Sequence, residues 1–172
     1  MKKILCRGAS LGFCVALLIF LGGCEGTFQA SLAISHSFIS VGGTGKVRIA
    51  IVNPPDAKTL QIGPTGKFTF NPAIISVTAV KGLNGFQVFA STTNNVTGEV
   101  RFAAGFPGGS IRPIMNMGVS NVQIDVIEII VQAVGVSGSS SLLNITSVDV
   151  CTDRNGKDII VTGIQAGEVT IQ

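Results

Sequence analysis

Apolar side chains fall on every second residue in one segment of this chain after another. Phe28-Gln29-Ala30-Ser31-Leu32-Ala33-Ile34 alternates strictly. Lys46-Val47-Arg48-Ile49-Ala50-Ile51 does the same, with Val47, Ile49 and Ile51 in one phase, and Glu99-Val100-Arg101-Phe102-Ala103 repeats the pattern. A period of two sends successive side chains to opposite faces of a strand, so each segment has one face to bury. Ile74 to Val80 is rich in β-branched residues, which suit a pleated surface. No segment of the exported part has a convincing helical period.

Glycine, asparagine and proline punctuate these runs. Val41 to Gly45, Asn53-Pro54-Pro55-Asp56, Asn84-Gly85, Ser137 to Ser141 and Asp153 to Gly156 read as turns or loops. Leu60-Gln61-Ile62 reads as a short strand, Gly63-Pro64-Thr65-Gly66 as a turn, and Lys67 to Phe70 as a strand pairing back. In the apolar stretch Val122 to Val134 alternation fails at Ile129-Ile130. That predicts a central strand covered on both faces, or one carrying a bulge. Leu143, Ile145, Val148 and Val150 mark a further strand with a bulge, and Ile159 to Thr162 and Glu168 to Ile171 close the sheet. Gly105 to Gly118 is a long irregular connection. The expected fold is an all-β jelly-roll sandwich of about eight or nine strands.

The N-terminus has a different character. Basic Lys2, Lys3 and Arg7 precede an apolar run from Leu11 to Leu21, and small residues follow. This is the layout of an export signal. The run is short of the ~20 apolar residues that span a bilayer. Leu21-Gly22-Gly23-Cys24 resembles the lipobox of bacterial prolipoproteins. The resemblance implies cleavage before Cys24, lipid attachment at Cys24, and membrane contact through that lipid. The alternative is a plain secretory signal that contains a cysteine. The expected organisation is a signal peptide over 1–23, a lipidated N-terminus and short tether over 24–30, and one β-sandwich domain over 31–172. The expected location is the bacterial envelope, at the outer membrane or cell surface; Glu25, not aspartate, after Cys24 favours the outer membrane by analogy with lipoprotein sorting.

Charge and cysteine content exclude several functions. Lys2, Lys3 and Arg7 account for the whole formal charge of +3, so the exported part is neutral. A neutral domain has no electrostatic footprint for nucleic acid. It also has no polybasic patch, which leaves anchoring to the acyl chains. Of four cysteines, Cys6 and Cys14 leave with the signal and Cys24 is used by lipid, so Cys151 has no partner for an intramolecular disulfide. Cys151 reads as a buried small side chain. The single histidine, His36, reads as a strand-end residue without companions for a metal site.

Acidic residues are few and scattered; a strand pair such as Asp125 and Glu128 reads as solvent-facing residues on an edge or outer face. Gly45-Lys46 and Gly66-Lys67 fail as phosphate loops, because Ser40 and Gln61 replace the earlier glycine and Val47 and Phe68 replace the hydroxyl. Asp153 to Asp158 has the flavour of a calcium loop but lacks its terminal glutamate. No catalytic residue, metal site or cofactor is expected.

From Ser31 to Ile171 the chain resembles a cohesin domain. The likeness is carried by Val41-Gly42, Val47 to Ile51, Phe68-Thr69-Phe70-Asn71-Pro72 and Ile74 to Val77. It continues through Gly98 to Phe102, Leu143-Asn144-Ile145, Asp153 to Gly156 and Gly167 to Ile171. Family members typically carry aspartate where this chain has Asn71. The resemblance implies a jelly roll that recognises a dockerin-like protein across a sheet face. A carbohydrate-binding module shares this fold. Such modules stack sugars on Trp or Tyr, and this chain has neither, while its phenylalanines mostly fall at core-facing positions. The expectation is a non-catalytic interaction module; the alternatives are a polysaccharide-binding module and a surface adhesion or structural lipoprotein.

Overall fold

The computed structural model describes residues 28–52, 60–105, 123–153 and 158–172. Over these residues the chain forms eleven strands and no helix. They are β1 Phe28–Ile34, β2 Ser37–Ile39, β3 Thr44–Val52, β4 Leu60–Thr69, β5 Ile75–Gly82 and β6 Gln87–Asn94, then β7 Glu99–Gly105, β8 Gln123–Ala133, β9 Ser140–Asp153, β10 Ile159–Gln165 and β11 Gly167–Ile171. One sheet has the order β10-β1-β3-β8-β5 and the other the order β2-β11-β9-β4-β7-β6. The readings at Asn53 to Asp56 and over 106–118 lie outside the described residues, as does Cys24.

The count of eleven replaces the expected eight or nine. The first alternating segment does not stop at Ile34. It kinks at Ser35-His36 and continues as β2 in the other sheet. The end of the chain does the same at Ala166, where β10 gives way to β11. β1 runs parallel to β10 and β2 parallel to β11, so both chain ends cross between sheets side by side. Gly167 permits this close passage: a Cβ there would lie 2.5 Å from the Ser35 carbonyl oxygen and 2.6 Å from an Ile34 methyl.

Gly63-Pro64-Thr65-Gly66 is not a hairpin turn either. β4 is one continuous strand, and its pairing with β9 jumps from Ile62↔Thr152 to Thr65↔Val150. Gly63 and Pro64 are skipped in that ladder. Proline has no N–H to donate, and a register shift is how a strand accommodates it. Ser140 and Ser141, assigned to a turn by sequence, belong to β9.

β8 lies between β3 and β5 and carries a bulge, as its sequence predicts. The bulge sits earlier than Ile129-Ile130. Against β3, Ile127 pairs with Ile49 and Asp125 with Ala50, which leaves Val126 as the extra residue. Val126 and Ile127 are both fully buried, and the inward phase changes there to Ile127, Ile129 and Val131. Ile130 lies outward and half-buried. Asn84 and Gly85 take positive φ values of 53° and 88°, the pair of left-handed residues that a tight primed turn requires. The Phe86 N–H donates to the Leu83 carbonyl at 2.9 Å. The strands this turn joins belong to different sheets, so it makes a corner of the sandwich instead of a hairpin.

The core fills the space between the sheets. Leu32, Val47, Ile49, Ile51, Ile127 and Ile129 face it from one side, and Phe68, Val100, Phe102, Leu143, Val169 and Ile171 from the other. The Phe68 and Phe102 rings meet at 6.1 Å, tilted by 41°. Phe70 and Phe86 are also buried, so most of the phenylalanines with described side chains face inward as expected, while Phe38 and Phe89 are 66% and 60% exposed.

Candidate functional site

The outer face of the six-stranded sheet carries a charged cluster built by register. Thr69 of β4 pairs with Glu99 of β7, and Lys67 with Arg101. All four are at alternate positions whose intervening residues, Phe68 and Val100, are buried. The polar four therefore share the outward face. Glu99 receives both cations, Lys67 Nζ at 3.3 Å and Arg101 Nε at 3.0 Å. The Arg101 guanidinium, and after it the Lys67 ammonium, holds the Glu99 carboxyl below its ordinary value. Two cations on one carboxylate leave the cluster with a positive excess.

Beside this cluster lies an open depression of about 420 Å³, lined among others by Thr65, Lys67, Thr92, Arg101 and Ser147. Its lining offers hydroxyls, guanidinium and ammonium donors, the Asp149 carboxylate, and backbone. Its described lining includes no cysteine or histidine. A second shallow depression of about 490 Å³ lies at the β4 turn, beside Phe70, Asn71, Leu142 and Glu168. Asn71 organises that end. Its N–H donates to Ser141 Oγ at 2.9 Å, and its Oδ1 accepts from the Ala73 N–H at 3.0 Å. An aspartate would accept the second bond equally well, so asparagine serves the same turn.

The outer face of the five-stranded sheet holds Asp125 and Glu128. They lie on β8 inside the sheet, not on an edge. Each has its own cation: Arg48 reaches Asp125 at 3.1 Å and Lys46 reaches Glu128 at 3.2 Å. Glu128 is buried. The structure thus does not bring the two carboxylates together as an acid–base pair.

The other sequence candidates are separate from both faces. His36 is exposed at the crossing from β1 to β2. Cys151 is buried on β9, makes no disulfide, and burial pushes its thiol up to about 11. Gly45-Lys46 and Gly66-Lys67 lie within β3 and β4. Most of the Asp153 to Asp158 loop is outside the described residues. Among the described residues no group of three metal-ligating side chains occurs, and no helix is long and apolar enough to cross a membrane. The Lys67–Glu99–Arg101 cluster has only a faint signal in sequence, polar residues alternating with apolar ones in two segments. What joins them is the pairing of β4 with β7, which no local pattern states.

No protein-family model and no curated protein matches the sequence. Solved structures match by fold. One is a type I cohesin from Clostridium thermocellum in a cohesin–dockerin complex, with 13% identity, 86% of this chain and 100% of that chain covered, and a TM-score of 0.63. Another is a type I cohesin from Pseudobacteroides cellulosolvens, at 14% identity, with 84% and 92% covered and a TM-score of 0.63. A cohesin module from a Clostridium perfringens family 33 glycoside hydrolase matches at 16% identity, with 85% and 98% covered and a TM-score of 0.61. Identities this low establish the architecture and nothing finer. The chain carries a cohesin-like jelly-roll fold.

Proposed function

We propose that this protein is a non-catalytic interaction module of cohesin type, tethered to the bacterial envelope through lipid on Cys24, and that it binds a dockerin-like protein partner. The binding surface in this reading is the outer face of the six-stranded sheet. The observation that carries it is the Lys67–Glu99–Arg101 cluster beside an open depression of about 420 Å³. A broad, shallow, polar face suits a protein surface, and one sheet face can supply the roughly 800 Å² per partner of a standard interface. The five-stranded face is less suited, since its carboxylates are each matched by a cation already. Cohesin structures solved with dockerins support the class of partner. The polysaccharide-binding reading is weaker, because no Trp or Tyr is present and the depression holds no exposed aromatic ring.

The test is titration of the purified protein with a panel of dockerin modules, beside sedimentation assays on cellulose, xylan and chitin. We expect saturable binding to at least one dockerin and no retention on polysaccharide. Lys67→Glu with Arg101→Glu reverses the charge of the cluster and is expected to weaken binding at least tenfold, about 1.4 kcal/mol. Tight retention on a polysaccharide with no dockerin bound would replace this reading with the carbohydrate-binding one.

A further inference from the structure

β10 is the open edge of the five-stranded sheet. Edge strands are usually blunted by charge, proline or brevity. β10 has neither charge nor proline: Ile159-Ile160-Val161-Thr162-Gly163-Ile164-Gln165 is seven residues long and uncharged, with one bulge, at Thr162, in its pairing with β1. Ile160 and Ile164 are each 48% exposed. Its inner neighbour is β1, so its outer row of N–H and C=O groups has no strand partner among the described residues.

A second open edge runs beside it. β11 pairs with β9 only over Ser140 to Leu143. From Asn144 onward that flank of β9 has no strand partner among the described residues. Between the two edges lies a groove of about 470 Å³. Buried Cys151 and Ile159 line it, as do Val148 and Val161, which pack on the core. Asp149 and Asp158 also line it, and neither forms an ion pair with a described residue.

We infer that this groove takes an extended peptide from a partner protein, added as a strand to the edge of β10, with apolar residues directed to the groove and basic residues set against Asp149 and Asp158. Strand addition draws its affinity from main-chain hydrogen bonds and its specificity from alternate side chains, and this groove offers both. A second copy of the chain is a poorer occupant. β10 carries no basic residue to set against Asp149 and Asp158 of a second copy. The groove shares Ser147 and Asp149 of β9 with the sheet-face depression, but the β10 edge belongs to the groove alone, so protection over 159–165 separates this inference from the sheet-face reading.

The experiment uses the full chain in non-ionic detergent and a fluorescein-labelled Lys-Val-Lys-Val-Lys-Val peptide, with a Glu-Val-Glu-Val-Glu-Val peptide as control. Anisotropy gives binding, and amide hydrogen exchange gives its location. We expect saturable binding of the lysine peptide, slowed exchange over 159–165 but not over β6, and at least a tenfold loss of affinity in Asp149→Asn with Asp158→Asn. Ile160→Lys should abolish binding while the circular dichroism spectrum stays unchanged. Lys67→Glu with Arg101→Glu should leave this binding intact while it weakens dockerin binding. Equal binding of the two peptides, or protection that falls on β6 or is absent from 159–165, would overturn the inference.

Discussion

Cys151 is where burial alone sets a chemical property. Its side chain is 5% exposed on β9, and desolvation raises the thiol from 9.0 to about 11. A thiol this basic is protonated at neutral pH and a poor nucleophile. The same shift makes stability depend on pH. Between about pH 9 and 11 the unfolded chain loses this proton and the folded chain keeps it. The stabilisation is therefore whole below 9 and is lost as pH rises toward 11, by roughly 2–3 kcal/mol. Cys151→Ala should cost about 1–2 kcal/mol at neutral pH, as a small core truncation does, and should flatten this alkaline fall. Urea unfolding of both proteins at pH 7.5, 9 and 10.5 measures it. Parallel pH profiles would show that the thiol is not the titrating group. The sequence already indicated a buried, unpaired cysteine, because every other cysteine falls at or before position 24. It could not indicate that Cys151 lines the β9–β10 groove, which depends on two strands in different sheets.

At the scale of the element, the edge of β5 shows how one side chain replaces a strand. Asn95, in the turn after β6, accepts from the Val77 N–H at 2.8 Å and donates to the Val77 carbonyl at 3.1 Å. It completes the backbone ladder of a strand whose other flank pairs with β8. Asn95→Ala leaves both Val77 groups to water and should cost about 1 kcal/mol; Asn95→Asp keeps the acceptor but sets a carboxylate oxygen against the Val77 carbonyl, and should cost at least as much. Unfolding midpoints with hydrogen exchange at Val77 test this, and an unchanged Val77 exchange rate in Asn95→Ala would mean that the side chain does not close this edge. Strand existence was legible from alternation at β1, β3, β7 and β11, because local burial writes a period of two into the sequence. Breaks within strands were not. The β8 bulge shows in sequence only as a phase change between Val126 and Ile127, in a stretch so apolar that Ile129-Ile130 draws the eye first. Gly63-Pro64 has the composition of a turn, yet β4 runs on through it, with its pairing to β9 resuming at Thr65 after a register shift. Tertiary pairing overrides turn propensity there.

For the molecule as a whole, the described strands all follow the signal-like N-terminus, and β1 begins at Phe28, three residues beyond Glu25. Four residue steps from Cys24 to Phe28 reach at most about 14 Å. A lipid on Cys24 would thus hold the start of β1 close to the bilayer surface. Ile159 pairs with Phe28, so the Asp158 end of the β9–β10 groove would lie near the membrane, while the turn that links β8 to β9 is at the far end of the sandwich. With Lys2, Lys3 and Arg7 removed, basic and acidic residues balance, and electrostatic attraction to anionic lipid contributes nothing to retention. In the proposed lipoprotein, the acyl chains would supply all of it, and two chains suffice where one does not. Two outcomes follow for host membranes. A wash at about 1 M salt, where the Debye length falls to about 3 Å, should leave the wild-type protein in the pellet, while non-ionic detergent should release it. Cys24→Ser should move the protein to the soluble fraction, or leave it as an uncut precursor, with an unchanged thermal midpoint for the sandwich, whose described strands begin at Phe28. Mass spectrometry of the wild-type N-terminus decides between the lipid and the plain secretory signal: an acylated Cys24 supports the tether, and an unmodified terminus at another residue ends it.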